Sequence, residues 1–173
     1  MKIGLLSDTH GFLDSKVFDH FKHCDEVWHA GDIGGVEVIE KLEKFKPLKA
    51  VYGNIDDADI RQRFPEDLWF NCEDFEIWIT HIGGTPPNYN PRVKRMLAER
   101  KPDILICGHS HILKVMKDAK QNNLLFINPG AAGIQGFHHI KTIVRFDLIN
   151  KSISNFEVIE LGKRSAILPA DQH

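Results

Sequence analysis

"EVWHAGDIGGVEVIEKLEKF", residues 26–45, holds a strand, a turn and a helix in succession. Residues 26–30 are short and apolar, the composition of a strand. Residues 36–45 place Val38, Ile39, Leu42 and Phe45 at helical spacing, with charged residues on the opposite face. Between them, "GDIGG" (31–35) is a glycine-rich turn carrying one carboxylate, Asp32. This order is part of a β-α-β unit, whose strands run parallel through right-handed crossovers.

The same arrangement recurs on both sides. "KIGLLSDTHG" (2–11) ends an apolar strand in Asp8 and His10, and an amphipathic segment follows at 15–22. "LKAVYGNIDD" (48–57) ends a third strand in Asn54. In parallel sheets the turns after the strand C-termini lie along one edge, where ligands bind. Asp8, His10, Asp32 and Asn54 are therefore expected to converge.

Farther along, the pattern becomes richer in strands. "DLWFNC" and "FEIWIT" (67–80) read as an antiparallel hairpin, followed by a helix over 91–100 and a buried strand over 103–108. Two more strands pair within 112–128, and a last hairpin over 142–160 turns at Asn150-Lys151. Two sheets face to face with helices outside would bury all of these. Residues 1–162 are expected to form one domain, with 163–173 a polar, frayed tail.

With 173 residues the chain is long enough for one domain with a real core. Its 42% hydrophobic and 27% charged residues are those of an ordinary soluble protein. A net charge of −2 argues against broad capture of long nucleic acid or of an anionic membrane. The apolar run at the N-terminus is too short for a secretory signal or a membrane span. Cys24, Cys72 and Cys107 are far apart and odd in number, which suits buried thiols in a reducing compartment. Cytoplasm is the expected location, and a homodimer through sheet edges is possible.

Two further segments carry chemistry. His81 follows "FEIWIT", and "ICGHSH" (106–111) ends a strand in His109 and His111. Asp8 and His10, like His109 and His111, stand two apart, so in extended chain each pair would project to one side. Gly11, Gly31, Gly53, Gly83 and Gly108 free the turns for positive φ or close approach. Two aspartates, one asparagine and four histidines exceed one tetrahedral site but suit two divalent ions sharing a carboxylate. Imidazole with carboxylate favours manganese, nickel, zinc, iron or cobalt over magnesium or calcium.

The ordered set of D-x-H, G-D, G-N, a lone His and G-H-x-H across residues 8–111 resembles the calcineurin-like metallophosphoesterases. The short length and "NPG" at 128–130 are similar to the small YfcE-type phosphodiesterase branch. The resemblance implies an α/β fold, a four-layer α/β/β/α sandwich of two mixed sheets with a dinuclear centre. It implies that Asp8, His10, Asp32 and His111 hold one ion, and Asp32, Asn54, His81 and His109 the other, with Asp32 bridging. Manganese is the first expectation. Catalysis would then fall to Asp32, Asn54 and His109, which hold phosphate and a metal-bridging hydroxide that attacks phosphorus. A neutral Asn54 leaves net positive charge for a diester's single negative charge.

Many superfamily members carry a histidine after that asparagine, thought to protonate the leaving group; here the position is Ile55. This favours diesters or activated esters, whose leaving groups need no acid. The stretch 128–142 contains His138, a candidate replacement acid, and Asn128, expected to fix the loop. His29 reads as a packed histidine behind the site, and Tyr89 and Asn90 as possible rim residues. The expected activity is a metal-dependent phosphodiesterase acting on small phosphoesters. The alternative is a non-catalytic interaction scaffold on the same fold, as in a retromer subunit that has lost metal ligands.

Overall fold

A computed structural model of the protein describes residues 1–164. The first half runs β1 (Lys2–Leu6), α1 (Lys16–Phe21), β2 (Glu26–His29), α2 (Val36–Phe45), β3 (Leu48–Ala50) and α3 (Ala58–Arg63). Then follow β4 (Asp67–Cys72), β5 (Phe75–Thr80), β6 (Gly84–Thr85), β7 (Asn88–Tyr89) and α4 (Pro91–Glu99). The rest is β8 (Ile104–Ile106), β9 (Leu113–Asp118), β10 (Leu124–Pro129), β11 (Ile140–Ile149) and β12 (Ser152–Lys163). Asn90 caps α4 by accepting the Val93 N–H at 2.8 Å, and Pro91 follows where its missing N–H leaves no bond unmade.

Among the described residues these strands form two five-stranded sheets, ordered β12-β11-β1-β2-β3 and β4-β5-β8-β10-β9, and a small β6-β7 pair. Each large sheet has a parallel trio, β1-β2-β3 along one side of the first and β5-β8-β10 in the centre of the second. Antiparallel strands complete both, so both are mixed. Strand alternation then sorts the core into three slabs. Leu5 and Trp28 of the first sheet meet Ile79 and Ile106 of the second between the sheets. On the outer face of the first sheet, Leu6 and Val27 pack against Phe21 of α1, Leu42 of α2 and Ile60 of α3. On the outer face of the second, Trp78, Leu105 and Phe126 pack against Val93 and Leu97 of α4. This is the expected α/β/β/α sandwich.

One boundary differs from expectation. Lys163 extends β12, paired with Ile140, instead of opening the tail. Residues 165–173 of the expected polar tail lie outside the described residues. Among the described residues no helix is long and apolar enough to cross a membrane.

Because Ile79 is fully enclosed between the sheets, Ile79→Ala should lower the unfolding free energy by about 2–5 kcal/mol in urea denaturation. Ile149→Ala, on an exposed strand end, should change it by less than about 0.5 kcal/mol.

Candidate metal centre

The parallel trios determine where the polar turns meet. β1, β2 and β3 release the chain into turns at 7–11, 30–35 and 51–57; β5, β8 and β10 release it at His81, 107–111 and 130–133. Backbone bonds tie these turns together across both sheets. The Asp8 N–H donates to Gly31 O at 3.0 Å, Gly133 N–H to Asp8 O at 3.1 Å, and Gly108 N–H to His81 O at 3.0 Å. The convergence expected for one sheet edge thus extends over two.

At this junction the donors fall into two groups, Asp8–His10–His111 and Asp32–His81–His109, each compact enough to hold one ion. His111 Nε2 lies 3.2 Å from Asp8 Oδ1, and His81 Nε2 lies 3.2 Å from Asp32 Oδ2. Asp32 stands between the groups, its Oδ2 also 3.6 Å from His10 Nε2. Asn54 joins the second group, its Oδ1 2.9 Å from His109 Nδ1. All seven residues expected from the sequence are therefore brought to one place.

A second bond orients the His81 imidazole. His81 Nδ1 donates to the Ala30 carbonyl at 2.7 Å, which leaves the Nε2 lone pair facing two carboxylates. His81 Nε2 and His10 Nε2 are buried and have no hydrogen-bond partner. Buried polar atoms without partners are rare. Two such nitrogens aimed at buried carboxylates fit divalent cations, which would satisfy both. In the protein alone, burial opposes a charge on His81, but Asp32 and Asp8 outweigh it and raise its pKa. Burial likewise pushes the Asp32 pKa up, but His81 and the Ile55 N–H, donating to Oδ1 at 3.0 Å, outweigh it and hold it below the usual range.

The turns achieve this differently from expectation. Neither D-x-H nor H-x-H is extended: Asp8, His10, Asp32, His109 and His111 have φ of 54°, 48°, 52°, 68° and 60°. Side chains two apart converge because left-handed residues turn the chain, and strand alternation is not the cause. Such residues carry strain of about 1–3 kcal/mol each where they cluster at functional sites. Gly31 does combine positive φ (97°) with close approach, since a Cβ there would sit 2.7 Å from His81 Nδ1. Gly53 serves by its missing side chain alone: a Cβ would collide with Asp32.

Several bracing residues escaped the sequence reading. Asp56 is buried and accepts three backbone N–H groups, from Ile33 (3.1 Å), Gly34 (2.8 Å) and Gly53 (2.8 Å). It joins the turn holding Asp32 to the turn holding Asn54. The one available signal was an acid two positions after Asn54 in "GNIDD". Arg61 donates to the carbonyls of Asp56 (2.7 Å) and Asn54 (3.2 Å) and lies over the Tyr52 ring, so it secures the Asn54 turn.

His29 is fully buried behind the site, as expected of a packed histidine. Thr9 Oγ1 donates to Ile33 O at 2.8 Å, so at 3.0 Å it must accept from His29 Nε2–H, and His29 Nδ1 accepts the Gly31 N–H at 3.1 Å. Burial pushes its pKa down to about 4, consistent with that neutral tautomer.

The loop after β10 mixes agreement and correction. Asn128 fixes it, donating to Gly108 O at 2.8 Å and Ser110 Oγ at 3.1 Å while accepting from Gly130 N–H at 3.0 Å. The N–H groups of Gly130, Ala132 and Gly133 are all bonded within the protein. His138 stands edge-on to the His111 ring, centroids 5.2 Å apart. Its Nε2 pairs with the Gly133 carbonyl at 2.9 Å, its Nδ1 is buried without a partner, and burial lowers its pKa. Tyr89 does not rim the site, being buried with its hydroxyl on Asp118, whereas Asn90 caps α4 and donates to Ile82 O at 2.8 Å, next to His81.

Comparison with known proteins agrees with this geometry. The domain described as the calcineurin-like phosphoesterase superfamily domain matches residues 1–151. A probable metallophosphoesterase of Methanocaldococcus jannaschii is 32% identical over 137 residues, covering 76% of this chain and 68% of its own length. An archaeal phosphodiesterase structure aligns with a TM-score of 0.74 and 26% identity, over 93% of this chain and 100% of its own. The zinc complex of Vps29 from Entamoeba histolytica aligns with a TM-score of 0.69 and 18% identity, over 92% of this chain and 99% of its own, a likeness of fold alone.

If Asp56 positions the metal-facing turns, Asp56→Asn should weaken manganese binding by about 10–100-fold in isothermal titration calorimetry. Its far-ultraviolet circular dichroism should match that of the unaltered protein. An unchanged metal affinity would remove this positioning role.

Proposed function

The chain belongs to the calcineurin-like phosphoesterase superfamily, and from that premise we propose that it is a metal-dependent phosphodiesterase of small phosphoesters. The observation that carries the reading is the complete donor set, with two buried imidazole nitrogens left unpartnered against two buried carboxylates. The archaeal neighbour, itself a phosphodiesterase, supports the preference for diesters. Asp8, His10, Asp32 and His111 would hold one divalent ion, and Asp32, Asn54, His81 and His109 the other. Manganese comes first, with nickel, zinc, iron or cobalt as alternatives. When bound, the ions supply Lewis acidity, acidifying water at neutral pH and drawing charge from phosphate oxygens.

The chain's own groups prepare that chemistry. Asp8 and Asp32 contribute two negative charges, while Asn54 contributes none, so the cage remains attractive to an anion once two divalent ions are held. The Ala30 and Gly133 carbonyls keep two imidazoles oriented, His81 directly and His111 through the His138 beside it. His138, the expected general acid, keeps Nε2–H on a carbonyl, and its lowered pKa disfavours a second proton. We therefore give it the role of bracing His111 and leave the leaving group to depart without a protein acid. Ile55 agrees with this, and low-pKa leaving groups tolerate it.

The scaffold alternative draws support from the Vps29 fold, but a pure scaffold has no need for a full donor set held in left-handed turns. The cytoplasm remains our proposed location: Cys24, Cys72 and Cys107 are buried free thiols, and burial raises the Cys24 pKa to about 11, keeping it protonated. A homodimer through the outer strands β9 or β12 belongs to the same proposal.

After chelator stripping, turnover of an aryl phosphodiester should vanish and return with manganese. Asp32→Asn should reduce the restored rate by more than the roughly 100-fold upper range seen for outer-shell partners, with the thermal midpoint of the stripped protein little changed. Undiminished turnover in that variant would refute the bridging role.

A further inference from the structure

The exposed apolar side chains are unevenly placed. Ile55, Ile82 and Ile112 each follow a cage residue directly (Asn54, His81 and His111), and all three are exposed. Phe137, 99% exposed, is the extreme case among the described residues. It sits between Gly136 and His138, and both neighbours are pinned. A Cβ on Gly136 would collide with the His111 ring, and His138 is bound to Gly133 O at 2.9 Å while facing His111 edge-on. The loop from Gly133 to His138 therefore closes on itself and presents the phenyl ring outward beside the cage, with Ile134, 40% exposed, on the same loop.

Scattered surface apolar residues need no explanation, but a cluster rimmed by polar groups marks a binding surface. The electrostatics here differ between flanks. On the His111 side, residues 104–113 and 128–138 contain no Asp, Glu, Lys or Arg. On the Asn54 side, a cavity of about 310 Å³ is lined by Arg61 and Glu66 together with Tyr52 and Ile82. A phosphodiester bound between the two donor groups would have these two flanks open to its substituents.

We infer that the substrate is a phosphodiester with one apolar arm, aryl or alkyl, which lies over Ile112, Ile134 and Phe137. This rests on the phosphodiesterase reading and adds the chemistry of the group retained or released on the His111 side. Among the described residues, the one charged side chain bonded to this loop, Arg164, has its guanidinium on the Ile134 carbonyl at 3.4 Å, so the Ile134, Phe137 and Ile112 side chains favour an apolar arm over a sugar-like one. An apolar arm would bury its own surface and that of Phe137 together, and roughly 60 Å² removed from water is enough for about a tenfold preference.

The test holds the leaving group constant and varies the other arm. The manganese-loaded protein is assayed on methyl, hexyl and phenyl 4-nitrophenyl phosphate, each below its aggregation limit. The hexyl and phenyl esters should exceed the methyl ester about tenfold in kcat/KM. That ratio should fall towards one in the double variant Ile112→Ser, Phe137→Ser and persist in Phe137→Leu. Separately, the emission of Phe137→Trp should shift to the blue on titration with hexylphosphonate and not with methylphosphonate. Equal kcat/KM for all three esters, or a ratio indifferent to the double variant, would overturn the inference while leaving the hydrolase reading intact. The rim would then belong to a protein partner. No turnover of any ester would overturn the hydrolase reading and this inference with it.

Discussion

Two carboxylates, Asp8 and Asp32, are withdrawn from water and face the Nε2 atoms of His10, His81 and His111. His81 has given its N–H to Ala30, and the Nε2 atoms of His10 and His81 are unpartnered. Buried negative charge calls for positive charge beside it, which the raised His81 pKa supplies in the protein alone and divalent cations would supply more fully. That requirement explains features that would otherwise be faults. Five of the seven cage residues stand at left-handed φ, and aspartates sit where a core would place aliphatic side chains. The fold sets up a charge imbalance that two divalent ions would relieve.

The sandwich makes this possible by aligning its two parallel trios so that six turns share one junction. Bonds within these turns, such as Ser110 N–H to Gly108 O, are joined by bonds from other segments. Asp56 reaches across to bind the Asp32 turn, His29 and Thr9 link the first turn to the second, and Asn128 ties the His109–His111 turn to the loop after β10. Each donor is thus oriented by a neighbour from another segment. Such orientation is what makes a set of acids and histidines a metal cage instead of a polar patch. The same rigidity leaves Phe137 exposed at the mouth, because the residues on either side of it are engaged with the cage.

Much of this was legible in the sequence because it is periodic or local. The helical spacing of Val38, Ile39 and Leu42, the hairpin around Glu73-Asp74 and the turn at Asn150-Lys151 all gave elements close to those observed. The seven cage residues were legible because each closes an apolar run, and strand ends are where polar residues need a reason. What stayed hidden depends on contacts over tens of residues. Asp56 looks like one acid among several until the N–H groups of Ile33 and Gly34, 22–23 residues away, are seen to reach it. His138 lies 27 positions from His111 yet stands against its ring. The left-handed conformation of Asp8 and His10 was missed because nothing in D-x-H distinguishes a turn from an extended pair; the tertiary bonds impose it.

The central claim is that the seven donors hold a pair of divalent ions that share Asp32, and anomalous scattering from manganese-soaked crystals tests it most directly. Two anomalous peaks are expected, one among Asp8, His10, Asp32 and His111, the other among Asp32, Asn54, His81 and His109. Maps without a peak at this junction, or with a single peak that Asp32 does not touch, would contradict the account.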